Sequence, residues 1–318
     1  MYIFLKKECS LLNDEKHLLA IDLGSNAMRA ARAIFDEASD LEVIENYRFA
    51  LRLGEDVFDS GKISSKKIDL TEDAFKHLYE IIEEFQISKI RAVATSALRN
   101  ATNRKELIQL IKKKYNLELE LIDGIKEAKL IYQGINALLN LNQGQSLLID
   151  IGGGSTEITI TKEGQVIYSK SFKCGTVRLI QLNSLKEYKH VSQQLSQQIK
   201  NDLKKLNIPA KFDLCVGTGG NLRRMGKLRN TFFQRSHLKI KQTELSAIYN
   251  EVSKFSIDQR IKLLSMRKDR ADVIAPAMSL IEELMILFDI HELMLPQVGL
   301  KEGLLIDMLP SSPRYLYL

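Results

Sequence analysis

The chain alternates short apolar runs with longer amphipathic stretches, and it does so twice. Residues 17–22 form an apolar run that ends in Asp22 and meets the turn signal Leu23-Gly24-Ser25-Asn26, which predicts a buried strand entering a tight turn. Residues 29–35 and 41–53 read as further strands, the second with period-two alternation. The period then becomes helical. Phe75, Leu78, Ile81, Ile82 and Phe85 make one apolar stripe, and Thr71 with Glu72 and Asp73 supplies a helix start. A strand at 90–95, a helix at about 103–115 and a strand at 117–122 complete this half.

The second half repeats the plan. A helix at about 125–139 leads to an apolar strand, 146–150, that again ends in an aspartate before glycines. Residues 157–161 and 165–171 read as a hairpin around Lys162-Glu163-Gly164. A polar helix at 191–206, a short strand at 214–216, helices at about 243–255 and 271–288, and a last strand and helix within 292–309 follow. No low-complexity linker separates the halves, so a boundary near Gly124 is a hinge and not a tether. This predicts domains 1–124 and 125–318, with the final helix free to pack back on the first. Two related halves facing each other would set their glycine turns across one cleft.

Composition narrows the class. With 318 residues, 45% hydrophobic and 27% charged, the chain has room for two cores and reads as a soluble globular protein. No apolar run reaches the roughly 18–20 residues of a membrane helix. The opening Met1-Tyr2-Ile3-Phe4-Leu5-Lys6-Lys7 lacks the order of a signal peptide. Cys9, Cys174 and Cys215 are far apart, with no CxxC pair, which argues against a disulfide framework or zinc and fits a reducing cytoplasm. The net charge of +6 suits an acidic ligand without selecting one; a solvated basic surface explains it equally well.

The motifs say more. In Asp150-Ile151-Gly152-Gly153-Gly154-Ser155-Thr156-Glu157, glycines permit a sharp turn, successive N–H groups can form an anion nest, and the two hydroxyls add donors. Asp150 suits a hard cation held through water, and Glu157 suits ordering of a water. A plain structural hairpin is the competing reading. Around Asp22, the Gly24, Ser25 and Asn26 turn can hold a phosphate, and Arg29 on the next strand can reach one. Thr95, Ser96 and Arg99 make a donor-rich turn into a helix, which also serves for capping. Glu127 opens the helix at the domain junction and is the candidate general base; a glutamate favoured by the helix dipole is the alternative. Val216-Gly217-Thr218-Gly219-Gly220-Asn221 is another glycine loop between strand and helix, and Arg178 after Cys174-Gly175 is a further candidate phosphate contact. Neither GxxxxGK[ST] nor GxGxxG fits.

Taken together, DLGSN with Arg29, ATSALRNATN, GIKEAKLIY, IDIGGGSTE, CGTVRL, VGTGGNLRR and Gly299-Leu300-Lys301-Glu302-Gly303-Leu304 resemble the exopolyphosphatase / guanosine pentaphosphate phosphatase (Ppx/GppA) family, in its motif order, from about residue 18 to 306. The resemblance implies an α/β fold of two RNase H-like domains of the actin-like (acetate kinase/Hsp70/actin) superfamily with an interdomain cleft, in the short two-domain form. It implies Mg²⁺-dependent release of terminal phosphate from inorganic polyphosphate, or of the 5′-γ-phosphate of pppGpp, with polyphosphate or guanosine penta/tetraphosphate as partner and a homodimer as assembly. By residue, it implies Glu127 as catalytic base, Glu157 as water-ordering carboxylate, and Asp22, Asp150 and Glu157 at the metal. Gly24, Ser25, Asn26, Arg29, Arg99, Gly152, Gly153, Gly154, Ser155 and Thr156 fall on phosphate-contacting positions. The chain departs from the pattern at Lys126 and Lys129, where the family has acid and arginine, at Ala27 for serine, and at Lys301 for arginine; these bear on substrate preference and rate.

Other classes compete. A non-catalytic alarmone or polyphosphate sensor would bind without releasing phosphate. A sugar or acetate kinase on the same fold would need an acceptor site that no motif supplies. Nucleic-acid binding lacks a basic-aromatic pattern.

Overall fold

The computed structural model describes residues 16–36, 40–182, 185–310 and 316–317; the Met1–Lys7 segment and Cys9 lie outside them. The first sheet collects β1 (Lys16–Leu23), β2 (Met28–Asp36), β3 (Asp40–Phe49), β4 (Lys89–Ala94) and β5 (Leu119–Leu121). Between β3 and β5 the chain forms α1 (Leu53–Ser60), α2 (Ser65–Glu84), α3 (Ser96–Asn100) and α4 (Arg104–Tyr115). Helix α5 (Gly124–Leu138) crosses to the second sheet, built from β6 (Gln145–Ile151), β7 (Thr156–Lys162), β8 (Gln165–Phe172), β9 (Leu214–Thr218), β10 (Lys239–Lys241) and β11 (Glu292–Met294). Its helices are α6 (Thr176–Leu179), α7 (Leu185–Lys205), α8 (Gly220–Phe233), α9 (Gln242–Lys254), α10 (Ile257–Leu263), α11 (Lys268–Ala271), α12 (Ile274–Leu287) and α13 (Leu300–Asp307); β12 (Leu316–Tyr317) returns to the first sheet beside β3.

The sheet orders are β12-β3-β2-β1-β4-β5 and β10-β11-β9-β6-β7-β8. In each, an antiparallel three-strand meander (β1-β2-β3, β6-β7-β8) is extended by strands parallel to its first member (β4 and β5, β9 and β11). That is the RNase H-like arrangement, and its duplication is the actin-like architecture.

Side-chain alternation explains the layering. Leu18 to Leu23 is buried throughout, as a strand covered on both faces must be. Leu19, Ile21 and Leu23 join the outer cluster with Phe75 and Leu78 of α2 and Ile111 of α4. Leu18 and Ala20 point the other way, into a cluster with Leu130 and Ile131 of α5, Leu304 and Leu305 of α13, and Leu148 and Val216 of the second sheet. Leu147, Ile149 and Ile151 face the second outer cluster. Helices α5 and α13 therefore lie between the two sheets. Period two puts Asp22 on the same face as Leu18 and Ala20, and Asp150 on the same face as Leu148. Both aspartates look into the middle layer at the carboxyl ends of their strands, the usual ligand edge of open α/β sheets.

Helix α2 begins at Ser65, six residues before the predicted start. Ile68 extends the apolar stripe by a turn, and Thr71 is a buried helical residue whose hydroxyl donates to the Lys67 carbonyl at 2.6 Å. Strand β3 stops at Phe49, opposite Met28 where its partner β2 begins, and Arg52 then takes a left-handed conformation (φ 52°) as it starts α1, an element the alternation had hidden. The polar helix α7 begins at Leu185, and the helix predicted at 271–288 is α12, which starts at Ile274 after the separate short helix α11. Helix α10 was not foreseen. No helix among the described residues is long and apolar enough to cross a membrane.

Helices α5 and α13 meet backbone to backbone at Gly134 and Gly303. A Cβ on Gly303 would lie 1.9 Å from the Leu130 carbonyl oxygen. Backbone cannot yield as a side chain can, so Gly303→Ala should destabilise the protein by about 1–3 kcal/mol in urea titration. An unchanged midpoint would show that the helices are not held this closely.

Candidate functional site

The two glycine turns are built alike. Gly24 N–H donates to Ala27 O at 3.2 Å, and Gly152 N–H donates to Ser155 O at 3.0 Å. Each turn is then tied down through its carbonyls by the start of a short helix. Ser25 O and Asn26 O accept from Gly54 (2.8 Å) and Arg52 (3.1 Å) at α1. Gly152 O and Gly153 O accept from Thr176 (3.0 Å) and Val177 (2.7 Å) at α6, and Gly154 O accepts from Arg178 Nε at 2.8 Å. A trans peptide points its N–H opposite to its C=O. The amides of Asn26, Ala27, Gly153, Gly154 and Ser155 are thereby turned away from those helices, and the residues line a shared cleft. The turns also touch. A Cβ on Gly154 would come within 2.4 Å of Ser96 Oγ, 2.6 Å of the Phe58 ring and 2.8 Å of Ser25 Oγ, so that position requires glycine.

Sheet register places the charged groups. Asp22 stands directly across the ladder from Arg29, with Oδ2 to Nη1 at 3.4 Å. Asp150 stands across from Glu157 on one side and Thr218 on the other, and the Thr218 hydroxyl donates to Asp150 Oδ1. Glu157 in turn faces Ser171, whose hydroxyl donates to Glu157 Oε1 at 2.7 Å. Glu127, one turn into α5, is on the buried face of its helix. Asp123 caps that helix by accepting from the Lys126 amide at 2.8 Å. Arg99 Nη1 donates to Glu127 Oε2 at 3.0 Å and to the Ile122 carbonyl at 2.7 Å.

Asp22, Glu127 and Asp150 line the cleft together. Burial dominates their protonation. It raises Asp22 to about 6, against the pull of Arg29 and with help from Asp150. It lifts Glu127 well above the carboxylate range, with Glu157 adding to the rise and Arg99 opposing it. Asp150 is raised by burial and partly relieved by Thr218, and Glu157 reaches about 7 through burial and the neighbouring Asp150.

The predicted residues do not all face the ligand space. Gly24, Ser25, Asn26, Arg29 and residues Gly152 to Ser155 do. Thr156 is fully buried and donates to the Cys174 carbonyl. Glu157 lies behind Asp150, beside a small void with Thr159 and Thr218, and its Oε2 is buried without a partner. Arg99 backs Glu127 rather than lining the cleft. Arg178 holds the Gly154 carbonyl and stacks 3.7 Å over the Phe58 ring, so it is not a phosphate contact here. Lys126 and Lys129 point to solvent, which explains how the departures around Glu127 leave the cleft unaltered.

Two arginines went unforeseen. Arg223 follows the third glycine loop on α8. Arg270 comes from α11, donates to Asn221 Oδ1 at 2.9 Å, and sits against Gly220 near Arg29. Burial, then the positive charges of Arg29 and Arg48, lower Arg270 to about 9. Arg223 belongs to VGTGGNLRR, a motif that by itself gives it no role, and nothing around Arg270 in the sequence marks it. The cleft opens past them into a wider groove of about 650 Å³ lined also by Tyr47, Arg48, Arg224, Lys227, Arg267 and Lys301, against one carboxylate, Glu302, among its described lining residues.

For a metal, no three His, Cys, Asp or Glu among the described residues converge closely enough to bind a cation directly. The hard oxygens of Asp22 and Asp150, with the unpartnered Glu157 Oε2 behind them, nonetheless fit Mg²⁺ held through water and phosphate oxygens.

Comparison with known proteins bears on the fold and the family. A crystal structure titled as an exopolyphosphatase from Cytophaga hutchinsonii superposes with a TM-score of 0.84 at 23% identity, covering 92% of this chain and 97% of that one. The Aquifex aeolicus Ppx/GppA family member gives 0.76 at 22%, with the same coverage. The guanosine-5'-triphosphate,3'-diphosphate pyrophosphatase of Aeromonas salmonicida is 24% identical over 92% of this chain, which spans 59% of that protein's length. Residues 33–312 match the Ppx/GppA phosphatase family, and the chain belongs to it.

Proposed function

We propose that this protein is an exopolyphosphatase: it seats the end of a polyphosphate chain under the two glycine turns and transfers the terminal phosphoryl group to water. The supporting observation is that Asp22, Asp150 and Glu127 share one cleft that continues into a groove rich in arginine and lysine. A groove lined by several arginines and lysines suits a ligand that carries negative charge along its length. Asp22, Asp150 and Glu157 are assigned to the metal, Glu127 to catalysis, and Gly24, Ser25, Asn26, Arg29 and Gly152 to Ser155 to phosphate, with Arg223 and Arg270 added; Thr156 and Arg99 instead support the turn and Glu127, and we take the hinge at 124/125.

The turn amides and Arg29, Arg223 and Arg270 hold the terminal phosphates. Arg99 fixes one oxygen of Glu127, which leaves the other to orient water. As the water oxygen bonds to phosphorus, the bridging P–O bond breaks, the shortened chain leaves as a phosphate anion, and Glu127 takes the water proton. Mg²⁺ held through water by Asp22, Asp150 and Glu157 would offset charge on the phosphoryl oxygens. A second reading, hydrolysis of pppGpp, is favoured by Tyr47, an aromatic wall in the groove suited to a base. Phosphate release from long polyphosphate, tripolyphosphate, pppGpp and ATP, with and without Mg²⁺, tests both. Binding without release from any of them would support a sensor instead.

Glu127→Ala should keep the fold and substrate binding and lose about 10²–10⁴ in turnover; wild-type turnover would refute the base. Glu127 accepts a proton only when ionised, so kcat/KM should rise with pH through a pKa well above the carboxylate range. Arg99 holds that value down, so Arg99→Gln should move the rising limb to higher pH; an unmoved limb would assign it to another group. Arg267→Ala and Lys227→Ala should each raise KM for long polyphosphate about two- to fivefold while sparing tripolyphosphate. Equal effects on both substrates would argue against a chain running along the groove.

A further inference from the structure

Helices α5 and α13 join the halves on one side of the cleft. On the other side α1 packs against α6, and α11 with Asp272 adds ion pairs to the first half. Arg260, on α10, donates to Ala271 O at 2.9 Å and to Val252 O at 3.1 Å, and so fixes α11 to the core of the second half. From that base α11 reaches across. Asp269 is buried, and its Oδ2 accepts from Arg48 at the end of β3. Its carbonyl accepts from Asn26 Nδ2, in the first glycine turn, at 2.9 Å. Asp272, just beyond the helix, accepts from Arg52 at 2.5 Å. Arg52 is the left-handed residue whose own amide ties down the Asn26 carbonyl. Between the two aspartates sits Arg270, buried and aimed into the cleft.

We infer that Asp269 and Asp272 form a closure latch, and that Asp269 is a positioning residue. The closed state, the seating of Asn26 and the delivery of Arg270 are one event, because a single rigid turn of α11 carries all three. Opening the cleft about α5 and α13 breaks both ion pairs, parts α1 from α6 and withdraws Arg270 together with α11. Arg48 lines the groove as well as binding Asp269, so an arriving polyanion meets a cation already committed to the latch. The polyanion itself draws the halves together, through Arg29 on one side and Arg223 and Arg270 on the other. The latch therefore sets the population of the closed state before substrate arrives, and the apparent affinity scales with that population.

The test uses the full chain and solution X-ray scattering, which needs no turnover. Asp269→Asn/Asp272→Asn should expand the ligand-free protein, and tripolyphosphate should return it to wild-type dimensions. In hydrolysis assays KM should rise about tenfold with kcat at saturation retained, the pattern of a depleted competent state. The swap Arg52→Asp/Asp272→Arg should recover wild-type dimensions and KM, whereas Asp272→Arg alone should not. Unchanged ligand-free dimensions in the Asn variant would overturn the latch, as would a loss of kcat at constant KM. Should the chain hydrolyse no polyphosphate at all, the scattering result still decides the latch, and the proposed activity fails separately.

Discussion

Asp22, Glu127, Asp150 and Glu157 are held out of water within one small region, and burial opposes the charge on each of them. Isolated carboxylates would simply take up protons in such a place. What the fold provides against this is positional. Strand pairing fixes Arg29 beside Asp22 and Thr218 beside Asp150, and the α3 turn sets Arg99 against Glu127. These partners relieve the burial only in part. The remaining cost is one that a cation held through water and a phosphate group with its own counter-charges would remove. A site strained electrostatically when empty and balanced when filled binds its ligand partly by relief of that strain.

The duplication shows how such a site is made from one device. Each half contributes a strand ending in aspartate, a glycine turn tied by its carbonyls to a short helix, and a returning strand. The cross-ladder neighbour of the aspartate is where the halves differ. It is Arg29 in the first and Glu157 in the second. The same register position therefore carries a guanidinium into the cleft in one half and a buried carboxyl behind it in the other. The proposed anionic substrate and metal cation would need opposite surroundings, and a near-symmetric pair of hairpins offers them at equivalent positions.

Much of this was legible in the chain, for local reasons. An apolar run ending in Asp before glycine specifies a buried strand, its face and its exit, so the two aspartates and both turns could be named before any coordinates. Register could not be, and with it went the distinction between residues that line the cleft and residues behind it. Thr156 and Glu157 stand beside the third glycine in sequence, yet alternation turns one side chain to Cys174 and places the other behind Asp150. Arg270 was illegible for a different reason. It sits in an unremarkable polar stretch, and only the path of α11 across the cleft mouth makes it a site residue. Helix α1 was missed because period two runs on through residues 41–53, and only the backbone reveals the left-handed step at Arg52.

That step carries consequences beyond its own turn. A non-glycine residue with positive φ is uncommon, and here it coincides with one that binds both its own helix, through Glu55 at 2.6 Å, and the opposite half, through Asp272. Its amide also fixes the Asn26 carbonyl. The left-handed conformation, three residues past the end of β3, starts α1 and aims the guanidinium at the neighbouring half in one bend. Loop chemistry and closure are thus joined at a single backbone position, so the anion nest of the first half keeps its shape only while the chain beside it keeps this turn.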